Sequence, residues 1–221
     1  MLKIGVINSK GGVGKSSLVR ALAVRAAKDF PPENEDDSAR VAVADLDPQQ
    51  TVAQWWARRS QNVGWQAGKV ELLIGATTAQ EVEDRLSYSP HAFEYVFLDT
   101  PPGHLMEVED VVRLSDIVLI PIRPDYDTVL ASRDALAIQQ NSGTPALAIL
   151  TQCPTNALAF GETAREALES VGVTVAKAGT TMRITWSKAF DTGKSPAELK
   201  GVAGTEIDDI WREVANHVRK A

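Results

Sequence analysis

The feature that most constrains this chain lies between residues 9 and 17. An apolar, β-branched run over residues 2–7 leads into Ser9-Lys10-Gly11-Gly12-Val13-Gly14-Lys15-Ser16-Ser17. A helical stripe follows at Leu18, Val19, Leu22, Ala23 and Ala26. Glycines lack a Cβ, so backbone N–H groups can turn inward around an anion, and the helix behind them adds the positive end of its dipole. In that frame Lys15 reaches the β- and γ-phosphates of a nucleotide, and the Ser16 hydroxyl binds Mg²⁺. The strict G-x-x-x-x-G-K-[ST] spacing fails at its first position, which Ser9 occupies; Gly11 and Gly12 supply the flexibility instead. A glycine turn that merely joins strand to helix is the plainer alternative.

The rest of the chain repeats the alternation. Apolar runs at residues 41–46, 70–74, 94–98, 117–122 and 146–150 read as strands. Helical patterns fill residues 78–86, 105–114, 128–140, 161–171 and 206–219, and 48–60 reads as a turn entering a helix. Strands alternating with helices predict an α/β fold of the P-loop NTPase kind: a mostly parallel, twisted sheet with helices on both faces. No repeat or linker divides residues 1–221, so a single domain is expected. A chain of 221 residues buries roughly 70% of its unfolded surface and needs no disulfide or metal to fold. With 44% hydrophobic and 24% charged residues it is not a disordered chain. No run of 18 apolar residues is present to span a membrane, and the N-terminus has no secretion pattern. The single cysteine, Cys153, excludes an intramolecular disulfide framework. A reduced, cytoplasmic protein is the expectation.

In such a sheet, ligands sit beyond the carboxyl ends of the strands. Two of those ends carry acids. The second strand closes on Asp45-Leu46-Asp47-Pro48-Gln49, and strand alternation would aim Asp45 and Asp47 at one spot. Two carboxylates so close need a cation or an ordered water between them; a pair of turn-initiating aspartates before Pro48 is the alternative. The fourth strand delivers Asp99, followed by Thr100-Pro101-Pro102-Gly103. A carboxylate at the end of an apolar strand can reach the water shell of Mg²⁺.

Lys10-Gly11-Gly12-Val13-Gly14-Lys15-Ser16-Ser17 resembles the deviant Walker A loop, KGGxGK[ST], of the ParA/MinD family. Asp45-Leu46-Asp47-Pro48-Gln49 is similar to that family's first switch, and Asp99-Thr100-Pro101-Pro102-Gly103 to its second. The strand from Ser115 to Ile122 also resembles the family's, and the stretch from Asp47 to Trp56 looks most like the small partition ATPases of the ParF type. The resemblance covers nearly the whole chain and implies ATP and Mg²⁺ as cofactors. It implies that Lys10, Gly11, Gly12, Val13, Gly14, Lys15, Ser16 and Ser17 bind the nucleotide, with Lys10 reaching the nucleotide of a second subunit. It makes Asp47 the residue that positions the attacking water, with Asp45 and Asp99 supporting the Mg²⁺ shell through water. It further implies an ATP-driven homodimer, non-specific DNA binding, and a partner protein that stimulates hydrolysis for plasmid or chromosome segregation. The DNA-binding extension of larger members is expected to be absent.

The net charge of −6 argues against a dedicated nucleic-acid binder, but it is unevenly spread. Residues 183–221 hold seven basic and six acidic side chains, a balance of +1, whereas residues 29–37 alone carry five acids and read as a solvated loop. Candidate DNA contacts are therefore Arg183, Lys188, Lys194, Lys200, Arg219 and Lys220, with a solvated face as the alternative. Trp55 and Trp56 read as core plus partial exposure, ahead of an interface role. His91, His104 and His217 lack metal-ligand spacing, and Cys153 reads as a small buried residue. The final helix has an apolar stripe, and its acidic opposite face disfavours membrane targeting. Two other functions share the fold: a small-molecule ligase or synthetase, which would not pair Lys10 with Asp47-Pro48-Gln49, and positioning of a cargo other than DNA. An iron–sulfur reductase would need more cysteines than Cys153.

Overall fold

Strands that are apolar at every position belong where helices cover both sides of a sheet. The computed structural model describes residues 1–64, 68–90, 92–103, 105–155 and 158–218. In it β1 (Leu2–Val6), β2 (Val41–Asp45), β3 (Val70–Leu72), β4 (Tyr95–Asp99), β5 (Ile117–Ile122) and β6 (Ala146–Leu150) form one sheet in the order β3-β2-β4-β1-β5-β6. Every neighbouring pair is parallel, and β2 and β5 are buried along their whole length. This is the expected α/β architecture.

The alternation of side chains along each strand divides the core in two. Ile4, Val6, Val41, Val43, Phe97, Ile117 and Leu119 face one layer. There they meet α1 (Lys15–Ala27), Val52 and Trp55 of α2 (Thr51–Asn62), Phe190 of α8 (Ile184–Asp191), and Ile207, Ile210, Trp211 and Val214 of α9 (Val202–Val218). Ala42, Ala44, Val96, Leu98, Val118 and Ile120 face the other. That layer holds α3 (Ala79–Tyr88), α4 (Leu105–Leu114), α6 (Arg133–Ser142) and α7 (Leu158–Glu169). Between β5 and α6 lies the short α5 (Tyr126–Ala131).

Three local features depart from the sequence expectation. The helix expected over 128–140 is broken by a turn at Ser132, whose hydroxyl donates back to the Thr128 carbonyl (2.8 Å) and receives a hydrogen bond from Asn8 Nδ2 (3.0 Å). Residues 184–191, with no helix assigned from sequence, form α8, and a short 3-10 turn follows at Pro196–Glu198. The last helix begins at Val202, not at 206. Beyond β6, the segment 174–180 runs along the strand's outer side. Ala148 N–H donates to the Thr174 carbonyl (2.9 Å), Ala176 N–H to the Ala148 carbonyl (2.8 Å) and Thr180 N–H to the Leu150 carbonyl (2.9 Å).

The link between α8 and the 3-10 turn docks on α2 through Gly193. Its φ of +76° is left-handed, and a Cβ there would lie 2.5 Å from the Arg59 nitrogen. The close approach lets Trp55 Nε1 donate to the Lys194 carbonyl (3.0 Å) and lets the buried Arg59 guanidinium grip the Glu198 carboxylate (2.9 and 3.1 Å). Gly193→Ala is expected to cost about 1–3 kcal/mol through overpacking and the positive φ, read as a lower denaturant midpoint with an unchanged slope. Trp55 is thus fully buried, and Trp56, half-buried, donates to the Val70 carbonyl (2.8 Å). The core reading of the pair holds. Cys153 is half-buried, and burial raises its thiol pKa.

Candidate functional site

Strand register assembles the site. Val6, the last residue of β1, pairs with Asp99, and Asp99 pairs with Asp45. Two carboxylates therefore stand side by side where β1 hands the chain to the glycine loop. Gly12 (φ 75°) and Gly14 (φ 95°) take left-handed backbone that a side chain would resist, and Gly14 caps α1. Lys15 follows as the first helical residue and is buried.

The loop is held from several sides. Lys10 N–H donates to Asn8 Oδ1 (2.9 Å), while Asn8 Nδ2 donates to the Pro121 carbonyl (2.9 Å). Ser9 Oγ donates to the Ala131 carbonyl (2.9 Å), and Gly103 N–H donates to the Ser9 carbonyl (2.7 Å). The loop after β4 is thereby tied to the glycine loop by one backbone hydrogen bond. Thr151 and Gln152, beyond β6, bond the carbonyls of Val13 (2.7 Å) and Gly12 (2.8 Å). Sequence reasoning missed Asn8, Thr151 and Gln152, and only the position of 151–152 just past a strand end signalled them.

The electrostatics centre on Lys15 and Asp99. Lys15 Nζ donates to the Lys10 carbonyl (3.2 Å). Burial lowers its pKa, opposed by the negative charges of Asp99 and Asp47. Asp99 is fully buried, and neither carboxylate oxygen has a hydrogen-bond partner. Burial pushes its pKa up to about 7, Asp45 and Asp47 add to the rise, and Ser16 and Lys15 oppose it. A buried, unpartnered acid beside Ser16 is what a water shell around a divalent ion would satisfy. Among the described residues no group of three His, Cys, Asp or Glu side chains is arranged to hold an ion. An ion here would therefore rest on the Ser16 hydroxyl, the ligand's own oxygens and Asp99-held water.

Asp45 and Asp47 differ from the expectation in one respect. The strand ends at Asp45, so the alternation that would align the two stops short of Asp47. A turn closed by Gln50 N–H on the Asp47 carbonyl (2.8 Å), with Gln50 at φ 52°, carries the chain into α2. Asp45 accepts from the N–H groups of Asp47 (3.2 Å) and Ala53 (2.8 Å). It thus caps α2 from the strand end, and burial still raises its pKa. Asp47 is half-buried and accepts from Gln49 N–H (2.9 Å), close enough to influence Asp45, Asp99 and Lys15.

On the far side of the first turn of α1 lies a cavity of about 320 Å³, lined by Gly14, Ser17, Gln152, Thr181, Trp186 and Phe190 among others. At its base the Arg20 guanidinium stacks over the Phe190 ring at 3.7 Å and donates to the Ser16 carbonyl (2.9 Å) and Ser17 Oγ (3.3 Å). Burial lowers its pKa to about 10, which leaves it charged at neutral pH.

The basic candidates are more scattered. Arg183 is engaged: its Nε donates to Thr181 Oγ1 (2.6 Å) and faces Glu206 at 3.8 Å. Lys188, Lys194 and Lys200 are exposed, while Arg219 and Lys220 lie outside the described residues. His91 and His104 lie outside them as well, and His217 sits in the last turn of α9.

This is the sheet and strand-end loop of the P-loop NTPases. No protein-family model matches the chain. A relative from Gloeobacter kilaueensis, maintenance of carboxysome distribution protein A, is 27% identical over 97% of this chain and 93% of its own. MinD cell division protein of Aquifex aeolicus superposes with a TM-score of 0.75 at 14% identity, covering 98% of both chains. A protein of Borrelia burgdorferi B31 described as a candidate plasmid partition protein, bound to AMPPNP, superposes with a TM-score of 0.74 at 16% identity over 97% of this chain and 98% of that one. The relative is similar in sequence over nearly the whole chain, and the MinD and partition-protein structures share its fold.

Proposed function

We propose that residues 1–221 form a single-domain, nucleotide-switched positioning ATPase that binds ATP with Mg²⁺, dimerises, and hydrolyses ATP to ADP and phosphate. The observation that carries this reading is the buried, unpartnered Asp99 carboxylate set against Lys15 and Ser16 in a KGGVGKS loop. The N–H groups of residues 10–17 cradle the phosphates, and Lys15 leaves the Lys10 carbonyl to meet the β- and γ-oxygens. Ser16 and Asp99-held water would hold Mg²⁺, which supplies positive charge to the phosphoryl oxygens. Asp99 then sits charged beside the ion, and Asp45 fixes the switch by capping α2. Asp47, at the rim of that turn with its carboxylate accepting from Gln49 N–H, orients the attacking water. Lys10 reaches across to the nucleotide of a second copy, and the cavity beside Gly14 and Ser17 takes the base.

The relative's name assigns it to carboxysome distribution and the neighbours' names assign them to cell division and plasmid partition. One fold thus carries several cargoes, so cargo choice lies outside the loop. For this chain the reading is a cytoplasmic dimer, nucleoid-associated with ATP, that binds DNA non-specifically through Lys188, Lys194 and Lys200, with a partner protein that stimulates hydrolysis. Segregation of plasmid or chromosome is one use, and positioning of another cargo is the second, favoured by the relative's name. Among the described residues no helix is long and apolar enough to cross a membrane.

Two measurements test this. Lys10→Ala should retain nucleotide affinity yet fail to form the ATP-dependent dimer in light scattering with a non-hydrolysable analogue; normal dimerisation would return Lys10 to the surface. Random duplex should be retained by the ATP form and released steeply as salt rises, through counterion release. Equal retention by the ADP form, or hydrolysis that responds to a metabolite instead of DNA and a partner, would favour a ligase or synthetase.

A further inference from the structure

The nucleotide loop is gripped by two side chains 138 and 140 residues away in sequence. Thr151 Oγ1 donates to the Val13 carbonyl (2.7 Å), and Gln152 Nε2 donates to the Gly12 carbonyl (2.8 Å). A trans peptide is planar, so its C=O and N–H point in opposite directions. Drawing the Gly12 and Val13 carbonyls toward the end of β6 turns the N–H groups of Val13 and Gly14 the other way, toward the concave side of the loop. Two successive N–H groups so turned are the donors an anion needs.

The grip is itself built. Thr151 is 3% exposed, and its N–H donates to the Ile122 carbonyl (2.9 Å). Gln152 holds a left-handed φ of 54°, uncommon for a residue with a side chain and kept only where its surroundings impose it. Those surroundings are Thr180, whose Oγ1 accepts from Gln152 N–H (3.1 Å), and the Cys153 N–H, which donates to the Thr180 carbonyl (2.8 Å). The strained backbone aims the amide at the loop.

The geometry points to Thr151 and Gln152 as positioning residues that preset the loop's N–H groups for phosphate, acting through Gly12 and Val13 and not through the nucleotide's base. The inference rests on the reading of this loop as a triphosphate cradle. Because Gln152 also borders the cavity proposed for the base, the two roles must be separated by the probe. Tripolyphosphate carries the phosphates and no base; ATP carries both.

Gln152→Ala and Thr151→Val should each weaken binding of Mg²⁺–ATP and of Mg²⁺–tripolyphosphate by the same factor, about three- to tenfold for one lost hydrogen bond. Thr151→Ser, which keeps the hydroxyl, should restore both, and the preference for ATP over GTP should not move. Gln152→Glu, which cannot donate, should behave as Gln152→Ala, so the result does not depend on one variant's folding; melting temperatures are read alongside. Weakened ATP binding with tripolyphosphate binding unchanged would make Gln152 a base contact and overturn the proposal, as would no change in either. Wild-type protein that binds neither probe would instead overturn the cradle reading itself.

Discussion

Lys15→Ala is expected to weaken Mg²⁺–ATP binding by two to three orders of magnitude. Lys15 is buried in the loop, and its ammonium donates to the Lys10 carbonyl. Charge-assisted contacts to phosphate oxygens in such a setting are worth on the order of 2–5 kcal/mol. Alanine also leaves Asp99 without its positive neighbour, which pushes that acid further toward its neutral form. Calorimetric titration of Mg²⁺–ATP into the variant reads the effect directly. An unchanged affinity would remove Lys15 from the phosphate site.

Asp99→Asn is expected to separate stability from turnover. In the fold this acid titrates at about 7 against an ordinary value of 3.8. An acid whose pKa is raised by folding favours the folded state only while it is protonated. That contribution is complete below about pH 4 and is lost as pH rises to about 7, above which the buried charge weighs fully against the fold. Asparagine keeps the shape without the charge. The variant should therefore be more stable than wild type at pH 8, by on the order of 2 kcal/mol after allowing for the lost attraction to Lys15. That corresponds to a melting point higher by about 4–8 °C. The difference should close near pH 4. Hydrolysis should fall about a hundredfold or more, since the group proposed to hold the ion's water shell is gone. A variant that melts lower at pH 8 than at pH 4 relative to wild type would contradict the burial argument.

The sheet was legible because its strands are short apolar runs bounded by glycines, prolines and acids. Residues 117–122 and 146–150 needed nothing beyond their neighbours to be read as buried strands, and both are. The glycine loop was legible for the same reason: Gly12 and Gly14 sit where only glycine turns easily. α8 was not, since Ile184-Thr185-Trp186 has little local helical preference and the helix forms by laying Phe190 and Gly193 against α1 and α2. Ser132 breaks the helix for a partner 124 residues earlier, Asn8, which no window of sequence contains. The pairing of Asp45 with Asp99 is likewise a matter of register; each was identified at its own strand end, but their adjacency came from β2 lying against β4. Arg183 is a different case: a count of charges registers it only as basic, whereas the fold sets its Nε on Thr181 Oγ1 and near Glu206.

The outer borders of the sheet carry a consequence for how copies of this protein can meet. One border is β3, three residues long; along the other, β6, the segment 174–180 bonds the Ala148 N–H and the Ala148 and Leu150 carbonyls. Neither presents the long unpaired row of backbone groups on which another chain's strand could be templated. Both features disfavour cross-β growth from the native state. Copies that associate have to do so through side chains, helices and loops, contacts that charge can make and unmake, and a filament built that way dissolves where a backbone ladder would persist.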